Sequence, residues 1–148
     1  MLIKTKYLGE VDVDQNKTIH FTAGLPGFPE ENKFVILDIP GNDLLQILQS
    51  MQTPSLAFFV TNPHHFYQDY EIMLDDHIKE HLHIENESEV VILSIMTVQD
   101  PFHLSTINLQ APLIINSKNK RAKQFILPHD KYEMKAKISS PLAKEKGV

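Results

Sequence analysis

The chain has 148 residues, a formal net charge of −5, a single arginine and no cysteine. That length supports one domain with its own core and not two comfortable ones. Without cysteine there are no disulfides, thiolate nucleophiles or thiolate zinc sites, and an acidic chain with one guanidinium is poorly suited to gripping phosphates, whose non-specific affinity comes from Lys and Arg.

No apolar run approaches the roughly 20 residues of a membrane span. The start, Met1 to Lys6, lacks a basic region followed by an apolar core and a cleavage site, so a cytoplasmic location without membrane contact is expected. Ile3 to Leu8 and Val11 to Val13 alternate enough to form a strand pair around Gly9-Glu10, and Thr18 to Phe21 is a further short strand. Gly24-Leu25-Pro26-Gly27-Phe28 reads as a type II turn, with Pro26 presetting φ and Gly27 accepting a positive one. A phosphate-cradling loop would need Lys-Ser/Thr after the glycine, and none follows.

Phe34 to Leu37 is a buried strand. Leu44 to Gln49 is open between strand and helix, because its apolar residues fall at mixed spacing. Leu56 to Thr61, six residues without a charge, fits a strand covered on both faces and ended by Asn62-Pro63. Leu74, Ile78 and Leu82 then fall at i, i+4 and i+8, with Asp75 or Asp76 able to cap, so a short amphipathic helix is expected from about Asp75 to His83. Glu85 to Glu89 is a solvated acidic loop, and Val90 to Val98, apolar on both faces, is a central strand. After the turn at Gln99-Asp100-Pro101, Leu104 to Leu109 leads into a hairpin: Leu113-Ile114-Ile115 runs out, Asn116 to Lys120 turns, and Arg121 to Leu127 returns.

Many short strands with one short helix indicate a mainly β protein, a single small antiparallel β-barrel-like domain over 1–130. Residues 131–148 are expected to form a basic, flexible C-terminal tail. They carry five lysines against two glutamates, a balance of +3 that leaves −8 on the remainder.

Histidines 77 and 81 stand one helical turn apart, which is how two metal ligands share a helix face, but they border the apolar stripe and H-E-x-x-H is absent. They read as boundary side chains, and no metal site is expected. There is no G-x-S-x-G, and no carboxylate lies inside an apolar run where burial would tune it for proton transfer, so no catalytic residues are expected. The turn Lys118 to Lys123 could contact RNA; on an acidic body without stacking aromatics it reads as a solvated tip that discourages edge pairing. Asn108, Asn116 and Gln124 are amides beside buried strands, suited to turn backbone groups or, less simply, to a partner.

The string N-L-Q-A-P-L-I-I-N at Asn108 to Asn116, followed by R-A-K-Q and preceded by T-V-Q-D-P-F at Thr97 to Phe102, resembles the flagellar assembly factor FliW family. So do T-K-Y-L-G-E-V at Thr5 to Val11, I-H-F-T-A-G-L-P-G-F at Ile19 to Phe28 and L-A-F-F-V-T-N-P at Leu56 to Pro63, in the family's order. The resemblance implies a compact β-barrel-like protein without known catalysis or cofactor. It implies a chaperone-like partner of flagellin that, when free, binds the translational repressor CsrA and relieves its hold on the flagellin message, with no direct nucleic-acid contact. An anionic body suits such a cationic, RNA-binding partner. The partner-binding residues expected on this basis are Asp69, Glu71, Asp75, Asp76, Glu85 and Glu87 of the acidic segment, with Phe58, Asn62, Asn116 and Arg121. Two readings compete: a small cofactor-binding β-barrel of the flavin split-barrel type, which would need a phosphate site of clustered Arg, Ser and Thr, and a direct RNA-binding module.

Overall fold

A computed structural model describes residues 1–139. Seven strands close on themselves: β3 (Ile19–Phe21), β4 (Lys33–Ile39), β5 (Asn42–Ser50), β6 (Ala57–Thr61), β7 (Val90–Thr97), β9 (Leu113–Asn116) and β10 (Arg121–Gln124). The ring is sealed twice. The first half of β7 pairs with β9, and β3 pairs with β10. The second half of β7 pairs with β8 (Thr106–Ile107), which pairs in turn with β11 (Ala136–Lys137). A separate hairpin, β1 (Leu2–Lys4) with β2 (Glu10–Asp12), one α-helix, α1 (Asp76–His81), and four single-turn 3₁₀ helices complete the element set among the described residues.

Successive residues of a strand point to opposite faces, so the barrel interior can be read off directly. Phe21, Phe34, Leu48, Val60, Leu93, Leu113, Ile115 and Ala122 form the inner cluster, with the Phe21 and Phe34 rings meeting edge-on at 5.4 Å. The intervening residues of several strands are apolar as well, because three covers lie over the outside. The β1–β2 hairpin brings Ile3 and Val13 onto Val35, Leu37 and Ile47. Tyr70, Leu109, Ala136 and Ile138 lie over Met96 and Ile107. The helix lays Ile78 and Leu82 on Ile114. That is why β7 and the first hairpin strand read as unbroken apolar runs instead of alternating ones.

Several expectations are met in detail. Leu25 to Phe28 forms the tight turn, with Gly27 at φ 86° and the Phe28 N–H donating to the Leu25 carbonyl at 2.7 Å. The ambiguous Leu44 to Gln49 stretch is strand, its Leu45, Ile47 and Leu48 serving three different apolar clusters, which is the reason no single period shows. Three features differ from expectation. The helix is shorter at its C-terminal end, stopping at His81. The pairing of β3 with β10 is parallel, so the barrel is antiparallel except at this one seam. The chain also stays on the body past residue 130: the Leu109 N–H donates to the Glu133 carbonyl at 3.0 Å, β11 pairs with β8, and Ala136 and Ile138 are buried. Two apolar residues and a two-pair ladder hold this segment, too little to announce it in the sequence. The rest of the expected basic tail, 140–148, lies outside the described residues.

Candidate functional site

Asp75 starts the helix with an extended backbone, and its carboxylate accepts the Ile78 N–H at 2.8 Å. Ile78 and Leu82 are almost fully buried, and each such burial is worth roughly 1.5–3 kcal/mol. A helix this short has little stability of its own, so packing and caps carry it. The far end is held by the hairpin. Asn116, fully buried, donates its amide to the carbonyls of Leu82 (3.0 Å) and His83 (3.2 Å), while its Oδ1 accepts the Lys118 N–H at 2.9 Å. Asn119 donates to the Leu82 carbonyl as well. The 116–121 turn therefore supplies the acceptor-satisfying donors that a helix C-terminus lacks.

With Ile78 and Leu82 facing inward, 100° steps around the helix put Asp76, Lys79, Glu80 and His83 on one flank and His77 and His81 on the other. The first flank forms an open cleft of about 470 Å³ lined by Asp76, Lys79, Glu80, His83, Ile84 and Glu85. Lys79 also borders a neighbouring groove of about 320 Å³ whose floor is Ile72, Leu74, Val90 and Ile92 and whose rim carries Glu87 and Met73. Met73 is 90% exposed. The combination is an acidic rim beside an apolar floor, suited to a cationic partner that also presents an apolar side chain.

The expected partner-binding residues divide accordingly. Asp75, Asp76, Glu85 and Glu87 are brought together here, all exposed, with Glu87 in a 3₁₀ turn capped by Asn86. Asp69 and Glu71 are exposed on the approach to the helix, where the Glu71 N–H donates to the Tyr132 hydroxyl at 3.1 Å. Asn116 is corrected: a buried amide with its donors and acceptor engaged holds the turn and has no surface to offer a partner. Arg121 lies on the opposite flank, half-buried on β10. Phe58 packs edge-on against Phe28 at 6.0 Å, and Asn62 caps the turn at Pro63–His65 by accepting the His64 N–H at 3.0 Å. Neither joins the acidic flank. Met73, Lys79 and Ile84 were missed by sequence reasoning; an apolar Ile-Met-Leu triplet between acidic residues was the available signal.

The His77 and His81 rings stack with centroids 6.5 Å apart, and the His81 Nε2 lies 2.8 Å from the Thr22 hydroxyl. Desolvation lowers the pKa of His81 below the usual histidine range, assisted by Lys123, His77, Arg121 and His83 nearby. Among the described residues no group of three or more His, Asp or Glu could hold a metal ion, and no helix is long and apolar enough to cross a membrane.

A family model described as FliW protein matches residues 2–138. The flagellar assembly factor FliW of Oceanobacillus iheyensis is 48% identical over 145 residues, spanning 98% of this chain and 99% of its own length. That of Bacillus subtilis is 41% identical over 138 residues, spanning 93% and 96%. A crystal structure of a flagellar assembly factor FliW superposes with a TM-score of 0.89 at 40% identity, covering 93% of this chain and 96% of that one.

Proposed function

From the chain's membership of the FliW family, we propose that it works in the cytoplasm as a flagellar assembly factor that binds flagellin and, when flagellin is scarce, binds CsrA and relieves repression of flagellin translation. It does so by occupancy of protein partners and not by turnover. The observation that supports this reading most directly is the exposed acidic flank of α1 beside an apolar groove. A repressor that binds RNA must present cations. An anionic face would draw that protein in while repelling its phosphate ligand.

The flank also dictates how the reading is tested. Reversing Asp75 would remove the helix cap and confound any binding result, so the informative reversals are Asp76→Lys with Glu85→Lys. In surface plasmon resonance with CsrA, the double variant should associate about tenfold more slowly at low salt and lose most of the salt dependence of the on-rate. Unchanged association at both ionic strengths would remove the acidic flank from the interface. A pull-down of CsrA that is undiminished by added flagellin would remove the proposed competition.

A further inference from the structure

The other flank of α1 has the opposite character. Ile19 and Phe21 point into the barrel, so His20 between them points out; Phe34 points in, so Lys33 points out; Ala122 points in, so Arg121 and Lys123 point out. Register then aligns them. His20 pairs with Lys33 across β3 and β4, and Arg121 pairs with His20 across β10 and β3. Lys33, His20 and Arg121 thus form one row across three adjacent strands, spanning about 10 Å at the usual strand spacing. Lys123 extends the row along β10, and His81 joins it from the helix through its contact with Thr22. At the other end, His20 and Lys33 line a cleft of about 430 Å³.

We propose that this strip is a docking site for an extended, acidic segment of a partner polypeptide, separate from the acidic flank on the far side of α1. The argument is charge complementarity. The only guanidinium of the chain, two ammonium groups and two imidazoles face one way on a molecule whose net charge is −5, and side chains of alternate residues in an extended peptide reach one face at intervals of about 7 Å. A nucleic-acid strand fits less well. Three fixed cations neutralise few phosphates, and a phosphate backbone leaving the strip would run into the carboxylates about one helix diameter away. A peptide can be acidic for a few residues only and change composition beyond them.

Fluorescence anisotropy with a labelled hexa-aspartate peptide tests this on the full chain. The peptide should bind at low salt and lose most of its affinity at high salt, and hexa-asparagine should not bind. Arg121→Glu with Lys123→Glu should weaken binding at least about tenfold, whereas Lys131→Glu with Lys135→Glu, which changes net charge equally elsewhere, should weaken it no more than about twofold. His20→Gln with Arg121→Gln gives a milder pair should the reversal unfold the chain, with circular dichroism as the check; it should weaken binding about threefold. Equal weakening by the two charge reversals, or a single-stranded RNA hexamer binding more tightly than the peptide, would each overturn the proposal.

Discussion

Asn116 shows how a polar residue inside an apolar strand is justified. One side chain satisfies two helix-end carbonyls and the Lys118 N–H of its own turn, tying α1 to the hairpin across 33 and 34 positions of sequence. Its presence beside a turn was legible, since Asn after an apolar run followed by Ser-Lys-Asn-Lys is turn chemistry. Its partners on the helix were not, because nothing local to Asn116 encodes them. Asn116→Ala leaves the Leu82 carbonyl with Asn119 alone, takes the side-chain donor from the His83 carbonyl and the acceptor from the Lys118 N–H, and is expected to cost about 2–4 kcal/mol, read as a lower urea midpoint at unchanged m-value.

At the scale of elements, α1 is a divider whose two flanks carry opposite charge. Its existence could be read from the i, i+4, i+8 spacing, with Asp75 and Asp76 both open as caps and Asp75 the one that serves; which residues face which flank followed once the inward stripe was known. The cationic strip could not be read, because Lys33, His20, Arg121 and His81 come from four elements and become neighbours only through strand register. His81 gives this junction a pH dependence with a definite sign. Its folded pKa is lowered, so the unfolded chain takes up the proton first, and stability present above the ordinary histidine range near pH 6.5 is lost as pH falls through the folded value. His81→Gln should flatten the decline of the thermal midpoint below about pH 6.5, while leaving the midpoint near pH 8 little changed. Since His81 is only half-buried, the difference is a shallow slope and not a collapse.

For the whole molecule, the barrel class followed from many short strands punctuated by Gly and Pro, and the covers explain why its strands are apolar on both faces. The parallel seam and the docking of β11 were illegible, since each depends on pairings about 30 to 100 residues apart and on ladders of two residue pairs. Such a topology distributes stability unevenly. Amide exchange should be slowest in β5, β6 and the middle of β7, each paired on both sides, and fastest in the β1–β2 hairpin, which belongs to its own two-stranded sheet; equal protection of the two regions would contradict that ranking. The seam between β3 and β10 joins the third strand made during synthesis to nearly the last. A ribosome-bound chain must therefore wait, with β3 finished and one edge open, until residues 121–124 have emerged. Translation itself delays the factor's readiness, and any chain cut short before that point is left with an unsealed edge for proteases and aggregation to find.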